Sequence, residues 1–282
     1  MSQFPERYTK ELEVACDLAR QAGDVIRRHY ADADGVEIDY KQGDKSNPVT
    51  NADTDANALI VAGLSAAFPD DAILAEESAD PESRVSARRL WCVDPLDGTA
   101  EFIKRNGEFV VMIGLAIDGE ARAGVVYQPT EDELFWGADS VAMMESANGQ
   151  EVLCPSVEGD PSRARLTISR SHRSSTVDRV ARALGSTVEV PCGSVGLKAS
   201  RVARGLAEVY VSTSTRTREW DACAPEAILR AAGGLFTDGA GDPLRYNKPV
   251  TNTPRGMLAT NGPLHMRCST IVRSILADKG ML

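Results

Sequence analysis

Apolar residues recur at helical spacing through residues 8–30. Leu12, Ala15, Leu18, Ala19, Ala22, Val25 and Ile26 fall on one face, the periodicity of an amphipathic helix. A second helix is expected over 51–67, ended by Phe68-Pro69. Between them the stretch 40–48 is polar and contains Gly43 and Pro48, which predicts an exposed, mobile loop. The pattern then shifts to short apolar runs of strand length at 72–75, 90–93, 109–117 and 121–127. The last two flank Asp118-Gly119, a two-residue hairpin signal, and 133–137 continues the meander. Residues 1 to about 155 therefore read as two helices packed on an antiparallel sheet.

The second half alternates. Strands are expected at 166–168, 187–190, 207–211 and 257–260, and helices at 175–184, 194–204, 221–232 and 263–279. Gly205 fits the position just past a helix end, and Gly233-Gly234 closes the next helix. Strands alternating with helices point to a mixed sheet flanked by helices. The fold class is thus α+β in residues 1–156 and α/β in 157–282, divided near Pro155–Pro161. There is no internal repeat, heptad run or low-complexity tract.

Composition narrows the class. Among 282 residues, 41 Asp and Glu oppose 31 Lys and Arg, a net charge of −10. An apolar share of 43% is too high for a disordered chain. The acidic balance argues against a nucleic-acid coat, which needs a basic face, but leaves a small phosphorylated substrate open. The longest apolar run, 110–117, is far short of the ~20 residues of a membrane helix. The first residues have neither a basic nor an apolar leader segment, so no signal peptide is expected. Six scattered cysteines without a CxxC are expected as free thiols in a reducing cytoplasm.

No Walker A, GxGxxG or GxSxG pattern is present, and the three histidines, His29, His172 and His265, stand in unrelated settings. That argues against a histidine-dependent hydrolase or a zinc site. Carboxylates remain, in four groups: Asp53, Glu76-Glu77, Asp94 with Asp97, and Asp221. Taken singly, Glu76-Glu77 reads as a solvated loop, Asp221 as a helix cap, and Asp118-Gly119 and Asp238-Gly239 as turns. Asp94-Pro95-Leu96-Asp97-Gly98-Thr99 is different. A buried strand delivers Asp94, Pro95 turns the chain, Asp97 points back, and the Leu96 carbonyl can join as a neutral ligand. Gly98 admits close backbone approach, and the Gly98 and Thr99 N–H groups can hold phosphate. Acids beside an anion site need cations between them. Oxygen ligands without His or Cys select Mg²⁺, with Mn²⁺ as a substitute, in a two- or three-metal hydrolase.

These residues resemble the inositol monophosphatase superfamily of lithium-sensitive, magnesium-dependent phosphatases across nearly the whole chain. Val49-Thr50-Asn51-Ala52-Asp53, Glu76-Glu77-Ser78, Trp91 to Thr99, and Glu219-Trp220-Asp221 to Gly234 match its motifs in order. The resemblance implies a layered αβαβα sandwich with the site between the halves. It implies that Glu76, Asp94 and the Leu96 carbonyl hold one metal and that Asp94, Asp97 and Asp221 hold a second. It further implies that Glu76, with Asp53 and Thr99 nearby, orients the attacking water, and that Asp97, Gly98 and Thr99 hold the phosphate. Attack by water is expected to be direct and in line.

Within the superfamily, 101–109, Gly193-Ser194 with Leu197-Lys198, Ala224-Pro225-Glu226 and 246–249 are similar to the CysQ-type 3′(2′),5′-bisphosphate nucleotidases. That similarity implies conversion of 3′-phosphoadenosine 5′-phosphate, a by-product of sulfate assimilation, to AMP and phosphate. Lys104, Arg105 and Lys198 are candidates for the second phosphate, with Ser194 and Glu219 among the substrate contacts. Inositol phosphates or other sugar phosphates are the alternative substrates, and a non-catalytic metal- or nucleotide-binding protein is the reading from another class. The resemblance is compatible with a monomer or a homodimer, in the cytoplasm or at the cytoplasmic face of the inner membrane. Two positions depart from the group: Ala100 where Lys is frequent, and Ala222-Cys223 where Thr-Ala is frequent.

Overall fold

The computed structural model describes residues 4–32, 35–41, 44, 48–171 and 175–282. Residues 42, 43 and 45–47 of the expected loop, and His172, lie outside the described residues. The first apolar-periodic segment is helix α1 (Thr9–Ala31), and the second is α2 (Asn51–Ala67). Between them β1 (Ile38–Tyr40) pairs antiparallel with β2 (Pro48–Thr50).

A seven-stranded sheet follows, in spatial order β3 (Ala72–Ala75), β4 (Arg89–Asp97), β5 (Val110–Ile117), β6 (Glu120–Gln128), β7 (Glu133–Ala138), β8 (Val141–Ser146) and β9 (Gly149–Val152). Asp118 and Gly119 both take positive φ, 55° and 76°. These angles define the primed turn that matches the right-handed twist of the β5–β6 hairpin. One part of the expected pattern is corrected. The sheet is antiparallel from β4 to β9, but β3 runs parallel to β4, because residues 76–88 carry the chain back before the second strand starts.

The second sheet is mixed. Its order is β11 (Val188–Cys192), β10 (Arg165–Ser169), β12 (Val209–Ser212), β14 (Met257–Thr260) and β13 (Leu235–Asp238). Strand β10 is parallel to both neighbours, while β14 is antiparallel to both of its own. Helices α4 (Ser175–Leu184), α5 (Val195–Ala203), α6 (Glu219–Ala231) and α7 (His265–Asp278) accompany it.

Three apolar clusters set the layers. Leu12, Ala19, Ile60 and Leu64 of α1 and α2 meet Trp91, Val111, Ile113 and Val125 on one face of the first sheet. Met112, Val126 and Phe135 on its other face meet Leu197, Ala227 and Leu229 of α5 and α6, which also touch Tyr210 and Met257 of the second sheet. Ile168, Val209 and Leu258 on that sheet's far face meet Val180 of α4 and Val272 of α7. The result is the αβαβα sandwich. It also explains the unbroken apolar run of β5: a strand covered on both faces has no solvent side on which to place polar residues.

Helix α6 lies very close to the first sheet. A Cβ on Gly124 would sit 2.3 Å from the Ala224 carbonyl oxygen, so only glycine permits this packing. Cys223, fully buried on the same helix, is a small packing residue. The division expected at 156/157 falls in the stretch 153–160, which carries neither strand nor helix. The middle helices draw both halves into one shared core. All six cysteines are free thiols, and no helix among the described residues is long and apolar enough to cross a membrane.

Candidate active site

The site is built around the end of β4. Antiparallel pairing with β5 holds register up to Asp94, slips, and resumes at Asp97. The slip turns both acids toward the gap between the sheets. The Leu96 N–H donates to Asp94 Oδ1 at 3.1 Å, closing a tight turn over Pro95. Gly98 then takes φ of 104° and starts the short helix α3 (Thr99–Ile103), a conformation that side chains other than glycine resist.

Two helix starts deliver further acids by one device. Asp53, third in α2, accepts the Thr50 N–H at 2.9 Å through Oδ2. Asp221, third in α6, accepts the Arg218 N–H at 2.6 Å through Oδ2. Each carboxylate caps its helix with one oxygen and keeps the other for the site. For Asp53 that second oxygen, Oδ1, accepts the Thr99 hydroxyl at 3.0 Å. Thr99 Oγ1 also lies 3.3 Å from the Leu96 carbonyl oxygen.

Asp97 reaches across to the second half. Its Oδ2 accepts the Gly196 N–H at 2.8 Å, in the first turn of α5. Ser194 caps that helix by accepting the Leu197 N–H at 2.9 Å, and its side chain also bonds Asp97. Lys198, one turn on, is only 3% exposed. Its ammonium donates to the Gly193 carbonyl and lies 5.3 Å from the centre of the Tyr210 ring.

The electrostatics are those of crowded, buried acid. Burial pushes the Asp94 carboxyl well above the usual range, and the charges of Glu76, Asp97 and Asp221 push it further. Asp221 is raised in the same way, first by burial, then by Glu76 and Asp97. Burial also raises Asp97, against the pull of Lys198 and the Gly196 N–H. Asp53 is raised to about 6 by burial, despite three hydrogen bonds to Thr50 and Thr99 that favour its charge. Burial lowers the Lys198 ammonium, partly offset by Asp97.

Buried like charges of this kind are costly unless a cation shares them. One cation is internal. Lys41 Nζ lies 2.6 Å from Glu76 Oε1 and 2.5 Å from Glu77 Oε1. Its position in a polar loop gave no sequence signal. Glu77, beside it, is raised to about 7 by burial and the neighbouring Glu76 charge. The donor set is oxygen-only and acidic, which suits Mg²⁺ or Mn²⁺. Among the described residues no three His, Cys, Asp or Glu side chains stand close enough together to enclose a metal ion. The chemistry of Glu76, Asp94, Asp97, Asp221 and the Leu96 carbonyl fits divalent cations, with Asp94 common to both expected sets.

A cavity of about 480 Å³ opens beside the β4 turn, lined by Asp97, Gly98 and Thr99 from the first half and Ser194, Lys198 and Tyr210 from the second. Of the cations expected near substrate, Lys198 lines it and the other two do not. Lys104 stands outside the wall and donates to the Ser171 hydroxyl at 2.6 Å. Arg105 stacks on Tyr30 at 4.5 Å and donates to its carbonyl, on the α1 side. Glu219 is fully buried and accepts the Asn247 and Lys248 N–H groups at 2.7 and 3.1 Å. In this structure it fastens the 246–249 loop rather than facing the cavity. The described histidines are structural, His29 beside Asp55 at the surface and His265 against Thr260.

Comparison with known proteins identifies the family and the fold. The model of the inositol monophosphatase family matches residues 8–276. The 3′(2′),5′-bisphosphate nucleotidase CysQ of Salmonella typhimurium is 40% identical over 238 residues, 83% of this chain and 93% of that one. Crystallised CysQ from Bacteroides thetaiotaomicron superposes with a TM-score of 0.73 at 29% identity, over 89% of this chain and 97% of that one. The inositol monophosphatase of Anabaena superposes with a TM-score of 0.71 at 26% identity, over 96% and 97%.

Proposed function

The chain belongs to the inositol monophosphatase family, and from that premise we propose that it is a magnesium-dependent phosphatase removing the 3′-phosphate of 3′-phosphoadenosine 5′-phosphate to give AMP and phosphate. The observation that carries this reading is the meeting of acids from three elements, β4, α2 and α6, around a turn that lines a cavity of nucleotide size. The 40% identity to a curated bisphosphate nucleotidase supports the substrate.

Glu76, Asp94 and the Leu96 carbonyl would hold one ion, and Asp94, Asp97 and Asp221 a second. Bound Mg²⁺ supplies charge neutralisation at the phosphate and acidifies water. The chain's own residues do the positioning. Thr99 Oγ1, donating to Asp53 Oδ1, keeps its lone pairs for a water beside the phosphate. Asp53, poised near 6, takes up the proton that this water releases through the Thr99 hydroxyl. The Gly98 and Thr99 N–H groups face the phosphate oxygens. Lys198 balances Asp97 and the phosphate from the other half. No Ser, Cys or His nucleophile is required. Six free thiols suit a reducing cytoplasm.

Substrate choice is tested by phosphate release from 3′-phosphoadenosine 5′-phosphate and from inositol 1-phosphate under saturating Mg²⁺, with and without Li⁺. The nucleotide is expected to be preferred at least tenfold in kcat/KM, with Li⁺ inhibiting. Preference for inositol 1-phosphate overturns the nucleotide assignment and selects the reading suggested by the Anabaena structure.

A further inference from the structure

We propose that Lys279 is a specificity-determining residue that holds the second, non-scissile phosphate of a nucleoside 3′,5′-bisphosphate. The proposal rests on the nucleotidase reading and deepens it. Among the described residues two cations line the 480 Å³ cavity, Lys198 and Lys279. They are differently committed. Lys198 is buried against Asp97 and gives its ammonium to the Gly193 carbonyl. Lys279 is exposed, just past the end of α7, and its Nζ donates to the Thr176 hydroxyl. Among the described residues no carboxylate pairs with it, which is notable in a chain of net charge −10.

The position is fixed by its surroundings. Thr176 is fully buried at the start of α4. The adjacent Asp278 pairs with Arg179 of the same helix, so the end of α7 is tied against α4. Among the described residues the first-half wall presents Pro48, Ala100 and Glu101 and no cation. Lys104, the expected partner for a second phosphate, is instead engaged by Ser171, whose hydroxyl donates to Glu101 at 2.5 Å. The wall also carries Tyr210, Val211 and the hydroxyl residues Ser212, Thr213 and Ser214. An aromatic and aliphatic surface edged with hydroxyls suits a ribose and base. An ammonium held by a hydroxyl and by no carboxylate among the described residues, on the wall of a cavity beside the proposed phosphate site, selects a ligand with a second anionic group. An inositol monophosphate has none.

The test compares adenosine 3′,5′-bisphosphate with adenosine 3′-monophosphate, which differ only in the 5′-phosphate. In the wild type, kcat/KM should favour the bisphosphate. Lys279→Ala should cut that ratio about tenfold to a hundredfold, the range for a hydrogen-bonded charge pair, and should raise the inhibition constant of AMP by a similar factor. Lys279→Arg should restore most of both. A bisphosphate-preferring wild type whose ratio survives Lys279→Ala overturns the assignment of Lys279 and leaves the nucleotidase reading standing. A wild type indifferent to the 5′-phosphate overturns both. An equal loss on the two substrates, with a lowered melting temperature, marks a structural helix-end role and also overturns the proposal.

Discussion

Replacing Asp94 by Asn is expected to lower the rate of phosphate release at least a hundredfold, about 2.7 kcal/mol of transition-state stabilisation, without loss of the fold. Asp94 is the one acid common to both expected ion sets, so its charge is used twice. The amide is nearly isosteric and its oxygen can still accept the Leu96 N–H, so the turn over Pro95 survives. In the metal-free protein the substitution removes one of several buried, mutually repelling charges. Its melting temperature should therefore stay level or rise while activity collapses. Asp221→Asn should behave alike, because its capping oxygen and the Arg218 N–H remain. Steady-state kinetics at saturating Mg²⁺, paired with thermal denaturation in a chelator, separate the two effects. Full activity in either variant removes that residue from the metal site.

The second large effect is on stability. On the proposed reading Mg²⁺ binds the folded site and not the unfolded chain, and it should then stabilise by mass action, about 2.7 kcal/mol at a hundred times its dissociation constant. For a domain of this size, that amounts to a rise of about 5 °C or more in melting temperature. The gain should be large because the ion relieves repulsion that the metal-free protein must carry at Asp94, Asp97 and Asp221. Asp94→Asn should lose most of this rise. Thermal denaturation across a Mg²⁺ titration measures it, and an unchanged melting temperature at saturating Mg²⁺ contradicts the site.

Much of the architecture was legible because burial leaves a pattern. The amphipathic α1 and the two-sided run of β5 each wrote their surroundings into the sequence. The parallel partner β3 did not, since a four-residue apolar run carries no direction. Strand β9 lies at the sheet edge and is exposed at all four positions, so no alternation marks it. Strand β13 is likewise only four residues long. Among site residues, Asp94 and Asp97 stood out because two acids flanking Pro-Leu after a buried strand are more than a turn needs. Asp221 taken singly read as a helix cap, and the folded chain shows that its cap, like that of Asp53, is made through one carboxylate oxygen. Lys41, Glu219 and Lys279 could not be placed from sequence. Their partners lie 35, 28 and 103 residues away in the chain, and a lone charge carries no periodicity that reveals such a partner.

Phosphate release from 3′-phosphoadenosine 5′-phosphate, measured after the protein has been stripped with a chelator and then resupplied with Mg²⁺, is the most direct test of a metal-dependent phosphatase. The expected result is no release from the stripped protein and full release, one phosphate and one AMP per substrate, once Mg²⁺ returns. Release that is indifferent to the metal, or no release in either state, contradicts it.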